Sequence, residues 1–320
     1  MTQTILNRVR LWFSMKPLAT WFLIIVLLGM VPLFVGSYFR YVVNLAMIFV
    51  FAGFGMNILV ATNQISLGNA AFFAVGAYTS ALLVQELQMP FIGALFAAAI
   101  LAAVAGFIIA LPAIRLEHMY LAIATLGFVL IFEQILINWS SLTNGASGLV
   151  VAKASLGRWE FDTDLKFFYF TYALLIAAVV IGKNILGTRT GRAFSAIKMS
   201  PTAAQAMGIN VSKYKLISFI LGAFFTGIGG SLYAHYVGYI DPPSFGIFLS
   251  VSFLSMVVIG GMGSIAGAVF GALFVTITPE VLVALGAKEA QLVVYGVAMI
   301  LILRFFPQGI QGIMRILDRK

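Results

Sequence analysis

Long runs without a charged residue recur from one end of this chain to the other, and they constrain it more than any motif does. A helix needs roughly 20 mostly apolar residues in a row to cross a bilayer. Ten stretches of the 320-residue chain come near that length: 20–36, 41–60, 68–86, 91–111, 119–138, 167–187, 214–236, 248–260, 265–285 and 289–306. Charged residues make up 9% of the sequence, against about 25% in a soluble domain, so the chain could not cover a water-facing surface. The expectation is an all-α, polytopic integral membrane protein with about ten transmembrane segments, folded as one domain over residues 1–320. Two places are ambiguous. "GGMGS" (260–264) splits 248–285, leaving either two spans or one span with a re-entrant hairpin. The stretch 61–67 reads as a connector or as a dip into the membrane. The first oily stretch, from about Trp21 to Gly36, reads as a retained anchor helix rather than a cleaved leader.

Charge orients the segments. With ten crossings and the N-terminus inside, one side collects Arg8, Arg10, Lys16, Arg115, Lys183, Arg189, Arg192, Lys198, Lys213, Lys215, Arg304, Arg315, Arg319 and Lys320. The other side receives Arg40, Lys153, Arg158, Lys166 and Lys288. Positive charge prefers the cytoplasmic side, so both termini and the 188–213 loop are expected in the cytoplasm, and the 139–166 loop outside. The net charge of +9 is explained by this asymmetry. The chain has no basic stripe with interleaved aromatics, so no nucleic-acid partner is expected.

Several chemistries are excluded. With no cysteine there is no disulfide, thiolate metal site or cysteine nucleophile. His118 and His235 are too few and too distant in sequence for a metal centre. No glycine-rich phosphate loop ends in Lys-Ser/Thr, so neither ATP hydrolysis nor any cofactor is expected in this chain. An ion-coupled carrier needs ionisable groups deep in the membrane. Glu133 and Glu280 lie nearer the outer ends of their segments, and neither has a base four residues away.

Uncharged polar residues do interrupt the oil. Asn63, Gln64, Ser66 and Asn69 cluster beside Gly68. Such groups either bond neighbouring helices or line a cavity. Two readings stay open: a broken-helix element at the inner mouth of a path, or a short turn with Ser66 or Asn69 capping the next helix. Gly261 and Ser264, in the second interrupted stretch, join these four as candidates for lining a path. Small residues at 68–83, 222–230 and 260–272 include the pair Ala223 and Gly227, whose four-residue spacing lets helices approach closely.

One polar segment carries both ends of a helix in its sequence. In "SPTAAQAMGI", Ser200 suits the N-cap and Pro201 the first helical position. Ala203, Ala204, Gln205, Ala206 and Met207 are helix formers, and Gly208 suits the left-handed residue that closes a helix. The result is a stub of about two turns flanked by Arg189, Arg192, Lys198 and Lys213. A connector resting on anionic lipid heads and a docking element for a partner both fit it.

Four blocks, "GMNILVATNQISLGNAAFFAVGAYTSALL" (55–83), "YLAIATLGF" (120–128), "TGRAFSAIKMSPTAAQAMGINVSKYKLISFILGAFFTGIGGSLYAHYVGYIDPPSF" (190–245) and "MVVIGGMGSIAGAVFGALF" (256–274), occur in an order that resembles the branched-chain amino acid permease family of ABC importers, in its LivM-type subunit. The resemblance implies an ABC importer permease fold in the bacterial inner membrane. It implies a second permease subunit of the LivH type, two cytoplasmic ATPase subunits, and a periplasmic substrate-binding protein that delivers leucine, isoleucine or valine. It also implies that Ser200, Pro201, Ala203, Ala204, Gln205, Ala206, Met207 and Gly208 form the coupling segment that docks on the ATPase. The chain departs from the family pattern in places. Lys198 to Pro201 contain no acid where the family usually has one, and Gln205 stands where glutamate is common. Val129, Leu130 and Glu133 follow "TLGF" in place of a glycine, an acid and a base. These departures bear on the solute, so importers of urea or short amides in the same family, and an ion-coupled secondary transporter, stay as alternatives.

Overall fold

The computed structural model describes residues 29–305 apart from 31, 35, 117, 157, 158, 162, 264, 288 and 289. The expected first span, 20–36, lies largely outside these residues, as do Ser264 and both termini.

The described chain is helical almost throughout. Its long helices are α1 (Ser37–Val60), α2 (Asn69–Glu86), α3 (Phe91–Ala113), α4 (His118–Asn138), α6 (Asp164–Gly187), α9 (Val211–Val237), α10 (Ile247–Gly260), α11 (Ile265–Ala284) and α12 (Gln291–Phe305). Short helices are α5 (Ser140–Thr143), α7 (Arg189–Met199) and α8 (Pro201–Ala206). Among the described residues seven helices are long and apolar enough to cross a membrane. About ten spans are expected, and three of the expected segments are not among the seven. The first lies largely outside the described residues. Helix α2 opens on Asn69 and closes on Gln85 and Glu86, which lowers its hydropathy. Helix α12 is described over 15 residues, up to Phe305, where the described residues end.

Successive long helices run in opposite directions, and cross-links at each end fix this. At one end Asn57 Oδ1 accepts from Gly263 N–H at 2.7 Å, and Ser218 Oγ donates to Gln64 Oε1 at 3.0 Å. At the other end Asn44 Nδ2 donates to the Asp164 carbonyl at 3.1 Å, and Tyr38 hydroxyl donates to the Glu280 carboxylate.

Helix α9 is the axle of the bundle and packs on α1, α2 and α3. Lipid tails are as apolar as leucine, so close van der Waals contact has to replace the hydrophobic effect between membrane helices. The glycines of α9 provide it. A Cβ at Gly230 would lie 1.9 Å from the Phe73 carbonyl oxygen of α2, and a Cβ at Gly76 would lie 2.2 Å from the Gly227 carbonyl oxygen. A Cβ at Gly55 of α1 would reach the Gly222 carbonyl oxygen at 2.4 Å, and one at Gly106 of α3 would meet Ala223 Cβ at 2.6 Å. The close-approach pair Ala223 and Gly227 is therefore spent on α2 and α3 of the same chain. A second tight pair joins α10 to α11, where a Cβ at Gly260 would lie 1.8 Å from the Gly267 carbonyl oxygen and one at Gly271 would lie 1.9 Å from that of Met256.

The expected outer loop, 139–166, is an ordered cap. Strand β1 (Leu149–Val150) pairs antiparallel with β4 (Tyr239–Ile240), and β2 (Ser155–Leu156) pairs with β3 (Trp159–Glu160). His235, buried in α9, is hydrogen-bonded through Nδ1 to the Ala152 carbonyl at 2.7 Å and through Nε2 to Ser80 Oγ at 3.0 Å. It ties the cap to both α9 and α2.

Replacing Gly230 by Val forces α2 and α9 apart and is expected to cost about 3 kcal/mol or more, read as a lower thermal midpoint in detergent. Gly127→Ala, with nothing within 4 Å of the new methyl, leaves the midpoint unchanged. Equal midpoints for the two variants would contradict this packing scheme.

Candidate functional site

The polar residues singled out in the sequence gather at the end of the bundle that carries α7 and α8. Between α1 and α2 the chain makes a buried turn. Gln64 N–H donates to the Leu59 carbonyl at 3.2 Å and Asn63 N–H to the Val60 carbonyl at 3.0 Å. This is the paired hydrogen bonding that closes a helix through a left-handed residue, and that residue is Asn63, at φ 61°. Asn63 thus ends α1, and its side chain is half-exposed. Gln64 is buried, and its Oε1 accepts from Thr62 Oγ1 and Ser218 Oγ, both at 3.0 Å. Neither Ser66 nor Asn69 is the N-cap of α2. That position is Gly68, whose N–H donates to Ser66 Oγ at 3.0 Å. Asn69 is the first helical residue. It is 1% exposed, and neither atom of its amide has a hydrogen-bond partner within the protein, nor does Gln64 Nε2. An unmatched buried polar group costs about 1–3 kcal/mol, so this turn carries more polarity than its own fold consumes.

The second interrupted stretch lies at the same end. It is the turn between α10 and α11, with Gly261 at φ 118° and Gly263 at φ 83°. Asn57, buried in α1, accepts from Gly263 N–H. The turn belongs to a pair of packed helices. Gly261 is buried there, while Ser264, the remaining candidate, is outside the described residues.

The stub forms as its sequence dictates. Ser200 Oγ accepts from Ala203 N–H at 3.2 Å, and Pro201 opens α8. Gly208 takes φ 80°, with its N–H on the Gln205 carbonyl and that of Ile209 on the Ala204 carbonyl, both at 3.0 Å. Within α8 Ala204 faces the protein, and Ala203, Gln205, Ala206, Met207 and Gly208 are exposed. Met199 and Met207, at the two ends, are 89% and 83% exposed. Helix α7, which precedes the stub, was read from sequence as part of a polar loop. Thr188 caps it, accepting from Thr190 N–H at 3.3 Å. Gly191, Phe194 and Ile197, at three-residue spacing, bury one face. That spacing is present in the sequence, and the three cations of the same helix, Arg189, Arg192 and Lys198, obscure it.

This end also holds Arg115, Lys183, Arg189, Arg192, Lys198, Lys213, Lys215 and Arg304, while the opposite end holds Arg40, Lys153 and Lys166 among the described residues. Lys198 donates to the Met262 carbonyl at 3.1 Å, and partial burial lowers its pKa below the ordinary lysine value. The two intramembrane acids are accommodated locally. Glu133 lies against Gly246 at the N-terminus of α10, where a new Cβ would be 2.9 Å from Oε2 and where the helix dipole favours a carboxylate. Glu280 accepts from Tyr38.

Against known proteins, residues 38–303 match the family model described as branched-chain amino acid transport system / permease component. The chain belongs to this family. It is 32% identical to the high-affinity branched-chain amino acid transport system permease protein LivM of Escherichia coli (strain K12), over 84% of this chain and 69% of that protein. It is 26% identical to the corresponding LivH protein of Salmonella typhimurium, over 78% of this chain and 86% of that one. Identity to the probable LivM of Methanocaldococcus jannaschii is also 26%, over 89% of this chain and 93% of its length. No solved structure matches the chain. The permease is a multi-pass membrane protein, and its matched region runs from α1 to α12, with the polar turn, the glycine turn and the stub all inside it.

Gln64→Leu removes the acceptor shared by Thr62 and Ser218. It is expected to destabilise the permease by about 1–3 kcal/mol in thermal unfolding. Asn63→Gly keeps the left-handed turn and stays within about 0.5 kcal/mol of the parent, whereas Asn63→Val costs about 1–2 kcal/mol. Stability indifferent to all three would contradict the structural roles given to these residues.

Proposed function

We propose that this chain is one permease subunit of an ATP-driven importer of branched-chain amino acids and forms half of a path that opens alternately to the two sides. Family membership over nearly the whole described chain supports the solute class, since the similar proteins LivM and LivH are both named as permeases of branched-chain amino acid transport. Similarity to both also supports a LivH-type second permease as the other half. The chain itself carries no phosphate-binding loop, so two ATPase subunits supply the energy and a periplasmic binding protein delivers the amino acid. The excess of basic residues at the α7–α8 end supports a cytoplasmic position for that end, and with it for both termini, in a bacterial inner membrane.

The observation that carries the reading is the stub. A capped, two-turn helix of small residues with an almost fully exposed methionine at each end is poorly suited to water, and flexible methionines adapt to an apolar groove. Ser200 to Gly208 are the docking element for an ATPase subunit, and the contact is apolar at the position where related sequences place an acid. Gln64 and Asn69, with their unmatched amide groups, face the inner mouth of the path. Gly261 lies on its second edge, and Ser264 stays a candidate from the sequence. Local accommodation of Glu133 and Glu280 supports ATP rather than an ion gradient as the driving force, because each carboxylate has a structural partner, Gly246 at the start of α10 and Tyr38.

The test is leucine uptake by the assembled complex in proteoliposomes. ATP enclosed with the cytoplasmic face should drive uptake that persists when a protonophore collapses the proton gradient. Met207→Glu, which places a charge in the apolar contact, should cut uptake about tenfold with the permease still folded. Uptake abolished by the protonophore and indifferent to ATP would replace this reading with a secondary transporter. Uptake of urea in preference to leucine would replace the solute.

A further inference from the structure

Force applied at the stub has two exits into the bundle. One is the covalent connection through 207–210 into α9. That route leads to the least movable part of the molecule, because α9 meets α1, α2 and α3 through glycine contacts in which no added Cβ fits. The other is Lys198, two residues before the stub, whose Nζ donates to the Met262 carbonyl in the turn between α10 and α11. The same Nζ would stand 2.9 Å from a Cβ at Gly263, so a side chain there would push the ammonium off the turn.

What lies beyond that turn is built to move as one piece. Helices α10 and α11 are locked to each other at Gly260 with Gly267 and at Gly271 with Met256. Against α1 the pair makes an extensive contact without such a lock at Gly53. A Cβ at Gly53 would find Met256 Sδ at 3.4 Å and Ala268 Cβ at 3.6 Å, which are ordinary van der Waals distances. The turn has two backbone pivots at positive φ, Gly261 and Gly263, and is held to the bundle by the hydrogen bond to Asn57. It is therefore gripped from two sides, by α1 through Asn57 and by the stub segment through Lys198. The ammonium also sits at the C-terminal end of α10, where a cation is favoured. Helix α7 is stiff enough to serve as the lever, since Phe194 and Ile197 are buried and the Phe194 ring meets Tyr214 edge-on at 6.3 Å.

We propose that Lys198 is the positioning residue that transmits movement of the α7–α8 segment to the α10–α11 hairpin, pulling on the Met262 carbonyl while α1 to α3 and α9 stay fixed. The proposal rests on the importer reading. It assigns this chain's moving part to one helix pair and its linkage to one side chain, neither of which follows from stub docking alone.

The experiment measures leucine imported per ATP hydrolysed by the complete complex in proteoliposomes. The parent, Lys198→Met and Lys198→Arg are compared, with recovery of assembled complex as a check on folding. Lys198→Met keeps the length and apolar stem but has no donor, and its ratio should fall about tenfold, within the usual span of coupling between sites. Lys198→Arg restores a donor within reach of the carbonyl and should hold the ratio within about twofold of the parent. A Lys198→Met ratio equal to that of the parent overturns the linkage and leaves the importer reading intact. So does a result in which both variants assemble poorly and lose import and hydrolysis in equal proportion, since that is a structural role. A parent complex that imports nothing on ATP overturns the importer reading, and the linkage with it.

Discussion

Close backbone contact between helices, bought with glycine, is what the rest of the permease depends on. In lipid there is no water to drive leucine against leucine, so helices stay together by approaching closely enough for main-chain atoms to touch. Gly222, Gly227 and Gly230 bring α9 against α1, α2 and α3 in this way, and Gly260, Gly267 and Gly271 do the same for α10 and α11. The consequence is mechanical. Packed interfaces of this kind are stiff, and the chain contains a glycine-locked group of four helices and a glycine-locked hairpin beside it, which meets α1 at Gly53 at ordinary van der Waals distances.

The polar residues fit around that division. Gln64 fastens the α1–α2 turn to α9 inside the rigid group, while Asn57 reaches across to the hairpin turn. The unmatched amide atoms of Gln64 and Asn69 lie at the same end as the exposed stub. At the opposite end His235 and the β1–β4 pairing fasten the 139–166 cap onto α9 and α2. The stub, the turn between α10 and α11 and the polar turn thus share one end of the molecule, as the proposed coupling requires.

Much of this was legible in the sequence, and the boundary follows physical lines. Spans are legible because one solvent imposes one rule along the chain, and the stub because capping by Ser200, Pro201 and Gly208 is local chemistry that needs no tertiary partner. At Asn63 the sequence shows an amide amid apolar residues but not the backbone requirement, a left-handed residue that asparagine tolerates. Asn69 and Ser66 looked like caps, but the turn that carries them is held by distant residues of α4 and α9, Thr125, whose Oγ1 accepts from Leu67 N–H at 2.9 Å, and Ser218, which donates to Gln64. Helix α7 was hidden by its charges. The glycines announced close packing without revealing the neighbour, since nothing in "TGIGG" (226–230) names Phe73 or Gly76. Pairing of β1 with β4 is likewise invisible in either dipeptide alone. Family resemblance supplied the class of transporter, which the physics of single residues does not reach.

The central claim is that work enters this permease from the cytoplasm through an exposed stub gripped by an ATPase subunit. The absence of native cysteine makes one measurement decisive: labelling of Met207→Cys by a membrane-impermeant thiol reagent. The account predicts no labelling in intact cells, rapid labelling in inverted vesicles stripped of the ATPase, and protection when the ATPase is restored. Labelling from outside intact cells, or labelling in inverted vesicles that the ATPase leaves unchanged, would contradict it.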